Sequence, residues 1–228
     1  MARMTRAQIR KAAISAINKR GCLLVYPVNN KAEPRSIWSE LWPRSRMRWE
    51  WDSGGDNRVA ELWYLKEELS RSNQVVYAKW FQNRATLISR EVFVWLLAYL
   101  RSHDLAAGLG GDSRNAVDLL MSDSPLSTKQ LKAALELEGR LLESTYNRAL
   151  KPLWQHLLIV GYGEFEDSSF PSLGIGASAT LFEDLWTQSQ NVTDAEKKLV
   201  GVLGEQNPFF KFAKKVKTAA PRDMLRQV

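Results

Sequence analysis

The chain has 228 residues, 45% of them hydrophobic, which suffices for one large core or two small ones and excludes disorder as the default. Its longest apolar run, Val92 to Leu100, is nine residues, about half of a membrane span, and one cysteine with two distant histidines makes neither an internal disulfide nor a zinc site of the usual composition. The net charge of +7 is concentrated at the ends, with +6 in residues 1–20 and +5 in 209–228, so a mildly acidic body carries two basic termini suited to a phosphate backbone. The expectation is a soluble, cytoplasmic protein without metal or cofactor.

Thr5 and Gln8 have capping-box spacing, with Met4 and Ile9 as a staple, and predict a helix from about Arg6 whose apolar face is Ile9, Ala13, Ala16 and Ile17. Arg10 and Lys11 lie on its outer side. The run Cys22 to Val28 reads as a strand or buried turn interrupted by Pro27. Pro34 and Pro43 bracket a short helix, Ser36 to Trp42, with Ile37, Trp38 and Leu41 inward. Five of the nine tryptophans fall in residues 38–63, interleaved with Arg44, Arg46 and Arg48, which suits either base stacking or core packing. Residues 53–57 read as a loop and 62–69 as a helix.

Gln74 to Ser89 reads as a β-hairpin, with Val75, Tyr77 and Phe81 leading into Gln82-Asn83-Arg84 and Thr86 to Ile88 returning. Lys79, Asn83 and Arg84 are its candidates for DNA contact. Ser89 caps a helix to about Arg101, apolar on every side and so expected at the centre of the core. Leu105 to Gly111 is the expected module boundary.

Residues 113–121 read as a helix. Ser127 and Gln130 form a second capping box for a helix with Leu131, Ala134 and Leu135 on one face, loosened or ended by Gly139; another helix starts near Ser144 and is expected to kink or end at Pro152. In a helix-turn-helix unit the second helix enters the major groove, which makes Asn147, Arg148 and Lys151 candidates for DNA contact. Residues 164–179 read as a long wing or an irregular loop, and 181–186 as helix or strand. Thr193 and Glu196 predict a last capped helix ending near Asn207-Pro208. A basic tail follows, with Lys211, Lys214, Lys215 and Lys217 as further contacts. The fold class expected is therefore α+β, with tandem winged-helix modules at 1–108 and 109–190 and a capped helix with basic tail at 191–228.

The succession GCLLVYP, SIWSEL, W-x-L-K-E-E-L, QVVYAKWFQNRATLISREVFVWLLAYL and YNRALKPLWQHLLIVGYG resembles small bacterial proteins related to AlkZ-type DNA glycosylases, over roughly residues 20–190. The resemblance implies tandem winged helices around double-stranded DNA and a place in DNA repair. It also implies a catalytic Gln-x-Gln or Gln-x-Asp motif just before a segment like SIWSEL. Here that place reads Leu23-Leu24-Val25-Tyr26-Pro27 and offers no amide or carboxylate to position water. Gln188-Ser189-Gln190 has the spacing but stands at the other end of the chain. Cys22 reads as a packing residue, His103 and His156 lack a triad pattern, and Gly161-Tyr162-Gly163 lacks the context of a phosphate loop. Three readings remain: a non-catalytic DNA-binding protein with no catalytic residue assigned, a glycosylase with a rearranged site, and a protein-interaction module on a degenerate DNA-binding fold.

Overall fold

The computed structural model describes residues 4–49, 56–101, 108–167 and 170–219. The Thr5 box forms: its hydroxyl accepts from the Gln8 amide at 3.3 Å, the Gln8 side chain accepts from the Thr5 amide at 2.8 Å, and α1 runs Arg6–Arg20. Next come β1 (Cys22–Leu24) and α2 (Ile37–Leu41), the latter capped by Ser36 and Ser39, so that Pro34 lies outside the helix rather than in its first turn. α3 (Arg58–Ser70) is longer than expected. β2 (Val75–Ala78) and β3 (Thr86–Ser89) form the hairpin, joined by a single turn of 3-10 helix at Phe81–Asn83. Ser89 caps α4 (Arg90–Leu100) by accepting from the Val92 amide at 3.3 Å.

The later part of the chain contributes α5 (Gly111–Ser122), β4 (Leu126–Ser127), α6 (Thr128–Ala134), α7 (Glu143–Gln155), β5 (Ile159–Phe165) and β6 (Ser172–Ala177). Four helices close it: α8 (Ser178–Leu181), α9 (Glu183–Gln190), α10 (Ala195–Leu203) and α11 (Pro208–Ala219). The tract expected as wing or loop is thus the β5–β6 hairpin. The expected α+β class holds.

Four local expectations change. α6 stops at Ala134, which is exposed, and Leu137 reaches the core across a turn in which Glu136 has φ 57°. α7 continues through Pro152 to Gln155. α10 starts after Asp194, whose left-handed backbone carries no side-chain cap, so the Thr193 box does not form. The basic tail is helical through Ala219, because Pro208 opens α11 instead of ending its predecessor and the Asn207 side chain accepts from the Phe209 amide at 2.9 Å.

The six strands form one sheet in the order β1-β3-β2-β5-β6-β4, with antiparallel pairing throughout. Residues 4–89 follow the order helix, strand, helix, helix, strand, strand, and residues 111–177 repeat it. Each set makes three adjacent strands, and the sets join where Tyr77 pairs with Gly161. Leu23, Val75, Tyr77 and Leu87 pack under α1, α2 and α3, whereas Cys22, Val76, Ala78 and Ile88 face the layer built on α4. Both faces are covered, which is why β1, β2 and β3 are buried at every position and largely apolar, Thr86 and Ser89 being the exceptions.

The junction is held by more than the strand pair. Lys66 Nζ meets Glu164 Oε1 at 2.6 Å with the two side chains only 6% and 12% exposed, and the Ser70 hydroxyl accepts from the Gly163 amide at 2.8 Å. A Cβ at Gly161 would stand 2.3 Å from the Tyr77 ring, and one at Gly163, where φ is +66°, would stand 2.1 Å from Arg71. Close packing across this seam therefore accounts for both glycines of the Gly161-Tyr162-Gly163 triplet.

Candidate nucleic-acid interface

After β2 the chain passes through Lys79 and Trp80 into the turn, where Gln82 and Asn83 take left-handed φ values of 51° and 59°. Thr86, fully buried, braces the turn: its hydroxyl donates to the Arg84 carbonyl at 2.9 Å and accepts from the Phe81 amide at 3.3 Å. The Trp80 indole N–H donates to the Gln155 carbonyl at the end of α7, at 3.1 Å. That bond ties the turn to a helix residue 75 positions away in sequence.

α7 buries Tyr146, Ala149, Leu150, Leu153 and Trp154, a helical stripe that leaves Asn147, Arg148 and Lys151 in solvent. Between this helix and the turn is a cleft of about 540 Å³, walled by Lys79, Trp80, Gln82 and Asn83 on one side and by Tyr146, Asn147, Arg148, Lys151 and Trp154 on the other. Three lining residues are cationic, and none of the described lining residues is acidic. The one carboxylate of α7, Glu143, is paired with Lys132 of α6 and accepts from the side-chain Nδ2 of Asn147 at 3.3 Å. Burial, and next Lys66, lower the Lys79 pKa; Lys132 adds to this and Glu143 opposes it. Burial also pushes the Tyr146 phenol well up, and its hydroxyl has no hydrogen-bond partner among the described residues.

Of the twelve residues singled out in the sequence, Lys79, Asn83, Asn147, Arg148 and Lys151 line this one cleft. Arg84 is exposed at the end of the same turn. Arg10 lies elsewhere, against Glu68 of α3 at 2.8 Å, with Lys11 exposed beside it on α1. Lys211, Lys214, Lys215 and Lys217 are exposed on α11; Lys214 approaches Glu196 at 3.8 Å and Lys217 lies 3.9 Å from the Tyr99 ring centroid. The buried face of α11 packs behind the cleft turn, with Phe209 and Phe212 centred 5.0 and 5.2 Å from Phe81. Gln82, Tyr146 and Trp154 were not singled out. Gln82 is adjacent to a chosen residue, while the two aromatics belong to the apolar stripe of α7, whose periodicity marks them as core.

The tryptophan-rich segment is mixed: Trp38 is buried and Trp42 half-buried, whereas Trp49 and Trp63 are exposed. Trp38 is buried with its indole donating to the Ser45 carbonyl at 2.8 Å, and the Arg58 guanidinium lies 4.7 Å from the Trp38 ring and 5.1 Å from Trp42. Trp51 and His103 lie outside the described residues. Leu23, Leu24 and Val25 are at most 1% exposed, and the Tyr26 hydroxyl donates to the Val59 carbonyl at 3.0 Å. Burial pushes the Cys22 thiol far up, and His156 is buried with its pKa lowered. Ser189 is buried on α9 against Arg101, and Gln188 borders a separate groove beside Trp95. Among the described residues there is no group of three metal-binding side chains and no helix long and apolar enough to cross a membrane.

No curated protein and no solved structure matches the chain. The family model described as AlkZ related matches residues 8–205, from within α1 through α10, and the chain belongs to the AlkZ-related family.

Proposed function

We propose that this protein binds double-stranded DNA through the cleft between the β2–β3 turn and α7, as a pair of winged helices, and does not excise bases in the manner of the glycosylases to which its family is related. The observation that carries the reading is the convergence of Lys79 and Asn83 with Asn147, Arg148 and Lys151 from a distant segment on one surface without a lining carboxylate. In each half the order helix, strand, helix, helix, strand, strand is that of a winged helix, and α7 stands in the place of the recognition helix. Arg148 and Lys151 neutralise phosphates, while Lys79 and the amides of Gln82, Asn83 and Asn147 face base edges or sugar. The buried apolar run Leu23 to Val25 supports the absence of excision chemistry, since no polar group there reaches a water.

Equilibrium binding to short fluorescent duplexes across a salt series tests this. Two phosphate contacts give a log–log salt slope of about −2, and Arg148→Glu weakens binding several-fold at moderate salt. Affinity independent of salt, or unchanged in Arg148→Glu, would overturn the assignment. Release of a free base from alkylated duplex would restore the glycosylase reading.

A further inference from the structure

Lys79 differs in kind from the other cations of the cleft. Three lysines and two carboxylates gather around this part of β2 and its neighbours: Lys66 is paired with Glu164 at 2.6 Å, and Lys132 with Glu143. Lys79 makes no hydrogen bond or ion pair among the described residues, although it is half-buried on the cleft wall next to Trp80. Arg148 and Lys151, across the cleft, are exposed by comparison.

An amine kept in this setting is a poor phosphate anchor and a good nucleophile. Burial first, and the nearby Lys66 and Lys132, lower its pKa and so raise the share of uncharged amine, while Glu143 acts the other way. Uncharged lysine adds to carbonyl carbon, and desolvation or a neighbouring cation is what activates it for that reaction. The carbonyl compatible with a DNA cleft is the C1′ aldehyde of a deoxyribose that has lost its base. The ring-opened sugar is small against a cleft of about 540 Å³, and its flanking phosphates would face Arg148 and Lys151.

We propose that Lys79 captures the aldehyde of a base-free deoxyribose in DNA as a Schiff base, reversibly and covalently. This rests on the DNA-binding reading above. The Nζ lone pair forms a bond to C1′, the carbonyl oxygen takes up both amine protons in turn and leaves as water, and the product is an imine between Lys79 and the sugar. Hydrolysis returns both partners, so no oxidant, reductant or metal is needed. The reaction that supplies the substrate is cleavage of an N-glycosidic bond.

The experiment uses the full chain with a duplex carrying one natural abasic site, in sodium borohydride, which reduces the imine to a stable secondary amine. A tetrahydrofuran analogue of the same site, which has no aldehyde, runs alongside. A covalent adduct on the natural site only, mapped to Lys79 by peptide mass and reduced by roughly tenfold or more in Lys79→Arg, supports the proposal. An adduct mapped to other lysines, or none, overturns it, and because mapping is done on the unaltered protein the result does not depend on the variant folding. Salt-dependent binding to the analogue duplex is measured in parallel. Binding without an adduct overturns capture alone, whereas no binding to either duplex overturns both readings.

Discussion

Single side chains in this molecule are set apart by what folding gives or withholds as partners. His156 is 4% exposed, with Nδ1 3.4 Å from the Leu100 carbonyl, and burial lowers its pKa below the ordinary 6.5. Since the unfolded chain binds the proton more readily, stability is fully present above about pH 6.5 and falls as the pH drops toward the folded value, by about 1.4 kcal/mol for each unit of depression. Urea midpoints measured from pH 7.5 to 5 should decline in the native protein and flatten over that window in His156→Gln. An undiminished decline would assign it to other groups. At the same scale, the sequence identified residues by type and not by state. Lys79, Arg148 and Lys151 are alike as cations in the chain, and only the burial of Lys79 and the pairing of its neighbours separate a nucleophile from two anchors.

Elements were legible where a local signal sufficed. The Thr5 and Ser127 boxes and the Ser89 cap formed because each needs only atoms within three residues. Thr193 failed because the backbone of Asp194 takes the left-handed region and starts the helix one residue later. α11 is the instructive case. Its lysines are conspicuous in sequence, yet Phe209, Phe210, Ala213 and Val216 are what dock it, and Phe209 and Phe212 pack behind Trp80 and Phe81 at the cleft. It also lies beyond the stretch that the family match covers. Phe209→Ala, at a site 1% exposed, should cost roughly 3–5 kcal/mol in urea unfolding and weaken duplex binding several-fold by releasing the turn. Loss of stability with DNA affinity intact would show that α11 supports the core and not the cleft.

The whole molecule is organised by one sheet that runs through both halves, and its seam is where the chain is least tolerant of added volume. Gly161→Ala would drive a Cβ to 2.3 Å from the ring of Tyr77, itself 3% exposed, so a cost of about 1–3 kcal/mol is expected. Gly201→Ala, on α10 with nothing within 4 Å of the added carbon, should be neutral or stabilise by up to about 1 kcal/mol. Thermal midpoints of the two variants compare seam with surface directly, and equal midpoints would deny the seam its role.

By itself the sequence determined the α+β class, most helix starts, the β2–β3 hairpin, the buried character of Cys22 and the family resemblance, because caps, turns and apolar periodicity act over a few residues. Only the tertiary structure decided which charges share a surface. Arg10 meets Glu68 and Lys66 meets Glu164, while Lys79 comes opposite Arg148 and Lys151. Such pairings join residues far apart along the chain, and no local pattern encodes them; they exist once the sheet and its two helical layers bring those segments within a few ångströms.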